Sequence, residues 1–360
     1  MAQKSLFKST KPMKKEYNRA LVIGKFQPLH KGHLSLIDFA ISKSERVDVC
    51  ATAHDGELIP LKYRVSWLVD SYKEREEVTI HGISYDPTML NESSVSDIKS
   101  SEEWADFLRD NVDGFSDIDV IIGSEMYVKY MADYLGISYV IYDQKRENIH
   151  ISATDIKGDI IRYWDYLAPA TKRHYVKHIC ICGSESSGKS TVCKRLEEEY
   201  NFVTMIPEIG RCLVGKSEIC EVSTLEKIFK IHNDLLEAVI FDPPTPIILW
   251  DTDNIITLSY YTFLFPNRHL QDLKLSREVY KADKYFFFES NIPFHDDGTR
   301  FDSAEAMRLR NHHVSMYRAF NVDLESVVSM ERCEIVRAYI LKVVERLKVA
   351  FVNGNAMSDM

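Results

Sequence analysis

The stretch GKFQPLHKGH, residues 24–33, holds two histidines three positions apart. At i and i+3 of a helix, His30 and His33 share one face. Zinc would need a further ligand, and neither an HExxH pattern nor a nearby cysteine supplies one. Two imidazoles at a helix start suit a different task, the neutralisation of charge on phosphates. Lys25, between Gly24 and Phe26, is a further candidate contact in the same run. A second stretch, GSESSGKST (183–191), fits G-x-x-x-x-G-K-[ST]. Gly183 and Gly188 permit a tight backbone, and the amides from Ser184 through Glu185, Ser186 and Ser187 can surround phosphates. Lys189 reaches the terminal phosphates, Ser190 offers a hydroxyl to Mg2+, and Thr191 continues into the helix.

Other residues complete the second pattern. ILWDTD ends an apolar strand in an acid, Asp251, with Asp253 two residues on. An acid there can order Mg2+ and accept the proton of an attacking hydroxyl. Downstream, Arg300 follows Asp296 and Asp297 in DDGTR, the composition of a lid whose arginine meets a transferring phosphoryl group. No Asn-Lys-x-Asp guanine-reading motif occurs, which disfavours a GTPase.

These residues need elements to hold them. Strand, turn and helix alternate along the chain, which predicts an α/β fold of two domains, each with a mostly parallel sheet. RALVIGKF precedes the histidines as a strand and GHLSLIDFAISKS follows as a helix; HICICG and TVCKRLEEEY flank the phosphate loop in the same way. SATDIKGDIIRYWDYL reads as a helix closing the first domain, with Ser152 near its N-cap. The divisions expected are a basic, mobile arm over 1–19, a first domain over 20–168, a linker over 169–176, a second domain over 177–352 and a tail over 353–360. The 360 residues suit two domains. A net charge of −9 disfavours a general nucleic-acid surface, and no apolar run has the length of a membrane span. Seven cysteines without a CxxC pair read as thiols in a reducing cytoplasm.

The run Gly24-x-Phe26-x-Pro28-x-His30-x-Gly32-His33 after a first strand resembles the HxGH signature of the nucleotidyltransferase superfamily. That resemblance implies a Rossmann-like domain whose histidines contact ATP phosphates as pyrophosphate leaves, with Gly24, Lys25 and Phe26 also at the ATP. The companion ISxTxxR signature reads Ile151, Ser152, Thr154 and, at the arginine position, Lys157. Lysine keeps the charge and loses the bidentate fork. The order of HxGH, ISxT, RYWDY, ESSGKST, WDTD and DDGTR resembles the NadR-type bifunctional family, nicotinamide mononucleotide (NMN) adenylyltransferase joined to ribosylnicotinamide kinase. The resemblance implies a P-loop kinase second domain that makes NMN from nicotinamide riboside, and a first domain that makes NAD from NMN. It also implies ATP as co-substrate of both domains, Mg2+ as cofactor, a cytoplasmic location and a homo-oligomeric assembly. Glu208 and Arg211 of PEIGRCLV match a riboside-side segment, which Asp251 and Asp253 would join; Pro207 stands where relatives carry an aromatic. Residues 1–19 are too few for the helix-turn-helix some members carry, so no DNA partner is expected. Two other readings fit the same motifs: a kinase with an inactive nucleotide-binding first domain, and a nucleotide-sensing regulator.

Overall fold

The computed structural model describes residues 15–91, 97–213, 221–268, 279–289 and 303–353. The chain divides into two compact units, one ending at Lys157 and one spanning Gly158–Asn353. In the first, β1 (Tyr17–Gly24), α1 (Lys31–Lys43), β2 (Ser44–Ala53), α2 (Leu61–Tyr72) and β3 (Val78–Ser84) are followed by α3 (Ile98–Asn111), β4 (Val120–Gly123), α4 (Tyr127–Leu135), β5 (Ser138–Ile141) and α5 (Ala153–Gly158). The sheet is parallel, in the order β3-β2-β1-β4-β5. Ala20, Leu21 and Val22 are wholly buried in its centre. A parallel strand covered on both faces is an unbroken apolar run, as ALVI is. After β3 the chain returns to the far side of β1. That reversal leaves a crevice at the carboxyl ends of β1 and β4, where α/β sheets take their ligands.

One polar network crosses three strands. Arg19 on β1 lies 2.6 Å from Asp48 on β2, and His81 on β3 lies 2.7 Å from the same carboxylate. Arg19 also donates to the carbonyls of Gly114 and Asp113. Arg19 and His81 hold the Asp48 carboxyl down at about 2, against the effect of its burial.

The second unit holds α6 (Pro169–Tyr175), β6 (Lys177–Gly183), α7 (Lys189–Glu199), β7 (Val203–Ile206), α8 (Gly210–Leu213) and α9 (Val222–Phe241). These precede β8 (Ile247–Asp251), α10 (Asn254–Leu264), β9 (Lys284–Phe288), α11 (Ser303–Ala319), β10 (Glu325–Val327) and α12 (Arg332–Asn353). Its sheet is also parallel, in the order β10-β9-β6-β8-β7. The described cysteines Cys50, Cys180, Cys182 and Cys193 are free and buried, and Cys333 is free and partly exposed. Among the described residues no helix is long and apolar enough to cross a membrane.

Four expectations need correction. Residues 1–14 lie outside the described residues, but β1 begins at Tyr17, within the expected mobile arm, because the backbone amides of Asn18 and Arg19 both donate to Asp119. The closing helix stops at Gly158; only a short 3-10 turn, Trp164–Tyr166, follows. The expected linker is α6, and residues 158–176 pack with the second unit rather than the first. Trp164 donates its indole N–H to the Pro243 carbonyl at 2.9 Å, and Lys172 lies 2.9 Å from Asp242. β10, three residues long, has too little pattern to be read from sequence. The expected tail is helical at Asn353, and 354–360 lie outside the described residues.

Candidate functional site

In the first unit, the crevice is built around His30. It is the N-cap of α1, and its Nδ1 accepts the backbone N–H of Gly32 at 3.1 Å. The proton of a neutral ring must then sit on Nε2, so His30 presents a donor without carrying charge. The His30 and His33 rings stack with centroids 3.7 Å apart. Burial, with the charge of Arg146 second, lowers His30 to about 4. Burial, His30 and Arg146 likewise push His33 well below the usual imidazole range, and its Nδ1 is buried without a hydrogen-bond partner. Both imidazoles are therefore neutral at physiological pH. A Cβ on Gly32 would lie 3.0 Å from the His30 ring, so the glycine between the histidines makes room for the capping imidazole.

The neighbours divide into contacts and supports. Phe26, expected at ATP, is 1% exposed, holds a left-handed φ of 50° and meets His33 edge-on, so it lies beneath the histidine as a support. A Cβ on Gly24 would press that phenyl ring at 3.2 Å. Lys25 faces Glu57 at 3.0 Å, and Glu57 also lies 2.6 Å from the fully buried Arg64. Ser152 caps α5, as expected, but shares its hydroxyl with Asp155 at 2.5 Å. Thr154 is exposed, and Lys157 lies in the last turn of α5. Sequence reading missed Glu57, Arg64 and Arg146. Each follows the carboxyl end of a strand of this sheet, which was the available signal. Arg146 has a left-handed φ of 55°, and its N–H donates to the Asp143 carbonyl at 2.8 Å.

In the second unit, Gly183 has φ 127°, and a Cβ there would lie 2.3 Å from the Phe288 carbonyl of β9. Gly188, φ 84°, caps α7. Lys189 is 5% exposed and turns into the loop, donating to Ser184 O at 2.8 Å and Gly183 O at 3.2 Å. From behind, Arg332 donates to the Ser187 carbonyl. β8 pairs with β6 so that Asp251 stands beside Ile181, two residues before the loop.

Asp251 is 2% exposed, and burial raises its pKa. Ser190, Lys189 and Arg211 pull the other way, while Glu208 adds to the rise. Glu208 and Arg211 are ion-paired at 2.5 Å and lie within electrostatic reach of Asp251. These five residues, far apart in sequence, therefore converge. Asp251 Oδ1 and Ser190 Oγ are both buried without a well-aligned hydrogen-bond partner. A hard divalent cation fits this carboxylate–hydroxyl pair, with remaining ligands from phosphates and water. Among the described residues, no cluster of three His, Cys, Asp or Glu could hold a metal alone.

Asp253, expected at the riboside, also has a structural task. It caps α10 through Ile256 N, accepts from Tyr317 Oη at 2.7 Å and is 1% exposed. Arg300 and its neighbours Asp296 and Asp297 lie outside the described residues.

Comparison with known proteins gives four results. The AAA domain family matches residues 178–332. The trifunctional NAD biosynthesis/regulator protein NadR of Salmonella typhimurium is 25% identical over 87% of this chain and 80% of its own length. The nicotinamide-nucleotide adenylyltransferase of Thermococcus sibiricus is 24% identical over 45% of this chain and 84% of its own. Among solved structures, a NadR protein in complex with NR superposes with TM-score 0.49 at 17% identity, covering 92% of this chain and 96% of that one. This chain is thus homologous to the NadR proteins over most of its length.

Proposed function

We propose that the chain is an enzyme of NAD biosynthesis with two activities, phosphorylation of nicotinamide riboside in the second unit and adenylyl transfer to NMN in the first. The observation that carries this reading is the presence, in a homologue of NadR, of both equipped crevices: neutral His30 and His33 in one, and the P-loop with Asp251 in the other.

In the second unit, the riboside 5′-oxygen bonds to the γ-phosphorus of ATP as the bond to the β-phosphate bridge breaks. Asp251 receives the hydroxyl proton, and Lys189 follows the charge moving onto ADP. Ser190 and Asp251 would hold Mg2+, which supplies charge neutralisation on the phosphates when bound. Glu208 and Arg211 face the acceptor side. In the first unit, a phosphate oxygen of NMN bonds to the α-phosphorus of ATP and pyrophosphate departs. The nucleophile is already ionised, so no base is needed. Neutral His30 donates from Nε2 to the phosphates, and a neutral donor neither repels the Arg146 cation nor needs a proton from solvent.

The full chain with nicotinamide riboside, ATP and Mg2+ should yield ADP and NMN, then pyrophosphate and NAD. Lys189→Ala should lower ADP formation at least ~100-fold, or about 2.7 kcal/mol of barrier, yet leave NAD formation from supplied NMN intact. His30→Ala should do the reverse. Riboside phosphorylation without pyrophosphate release from NMN would leave the first unit a binding module. Neither product would sink the proposal.

A further inference from the structure

The phosphate loop contains an acid. Glu185 sits between Ser184, whose carbonyl holds Lys189, and Ser186, whose backbone is left-handed at φ 54°. A carboxylate beside a cradle for phosphates opposes the ligand unless its direction is fixed. The hydroxyl of Tyr260 donates to Glu185 Oε1 at 2.7 Å. Tyr260 belongs to α10 and is itself backed by α11: its ring meets His313 edge-on at 5.1 Å. His313 is 2% exposed and lies 2.8 Å from Ser259 Oγ, while His312 lies 2.7 Å from Thr262 Oγ1. The acid is thereby fastened to a wall of two helices.

We propose that Tyr260 is a positioning residue, which holds the Glu185 carboxylate clear of the nucleotide phosphates in the second unit. Nucleotide affinity of the P-loop then depends on one hydroxyl in α10. Tyr260 takes no part in bond making and touches no reacting atom. The inference deepens the kinase reading of this site, and only its kinetic arm rests on that reading.

The variant is Tyr260→Phe, which keeps the ring against His313 and removes the hydroxyl. In the full chain its KM for ATP in riboside phosphorylation should rise about 3- to 10-fold, with kcat within twofold. The Lys189-dependent part of AMP-PNP binding should weaken by the same factor. Adding Glu185→Gln should return both to the wild-type value, because the charge that repels phosphate is gone. A purely structural tyrosine would not be rescued this way. Unchanged affinity in Tyr260→Phe, or a loss that Glu185→Gln fails to restore, would overturn the proposal. The binding arm needs no turnover, so it decides the matter even if the riboside is not phosphorylated.

Discussion

Gly32 lets a histidine act as a helix cap. Its hydrogen occupies the space where a methyl group would meet the His30 ring at 3.0 Å. Gly32→Ala must swing the imidazole off the Gly32 N–H, losing a cap interaction of about 1 kcal/mol and misdirecting Nε2. Pyrophosphate release from NMN and ATP should fall at least ~10-fold (about 1.4 kcal/mol of barrier), while ADP formation from nicotinamide riboside stays unchanged; equal loss of both would show general damage. The histidine pair and the P-loop are legible in sequence because neighbours along the chain fix their geometry. The Lys25–Glu57–Arg64 cluster is not, because its partners come from different βα connections that only the folded sheet brings together. Nor is the task of Asp253, since a cap and a ligand call for the same residue type after a strand.

Elements stand on contacts of the same kind. Asp48 joins three strands through Arg19 and His81, and its side chain is 3% exposed. Asp48→Asn would leave the Arg19 guanidinium part-buried without its counter-charge, a loss of about 3 kcal/mol. A urea titration reading the first unit should show an earlier midpoint, and a shift under ~0.5 kcal/mol would show the pair to be dispensable. Most strands and helices were readable from apolar runs and helical periodicity. The stretch after Gly158 was not: Ile160 and Trp164 are nearly fully buried, so the apolar signal was real. Periodicity says that a face is buried without saying against which core, and here the indole N–H is claimed by Pro243 in the second unit.

At the scale of the whole chain, buried histidines set the response to acid. Burial lowers His30 and His232 to about 4 and His313 to about 3, and it also lowers His33 and His178. Between pH 6.5 and 4 the unfolded chain binds more protons at these five sites than the folded one, so stability rises with pH there and is lost as pH falls. Asp253, raised by burial to about 6, acts in the opposite sense, as do Asp251 and Glu125, which burial also raises; these three carboxyls offset part of the effect of the five histidines. The thermal midpoint should therefore drop between pH 7 and pH 5, and a midpoint constant over that range would contradict the buried, neutral histidines.

Residues 158–176 also bear on how such a chain can be assembled or taken apart over evolution. They follow the nucleotidyltransferase motifs directly, yet Trp164 and α6 pack with the P-loop unit. The segment heritable with the P-loop unit therefore begins at Gly158 rather than at the phosphate loop's own strand. A recombination event that joined a new partner at residue 177 would carry the whole P-loop sheet but strip the indole from Pro243 and the Lys172 ammonium from Asp242. A junction just after Lys157 would leave both intact.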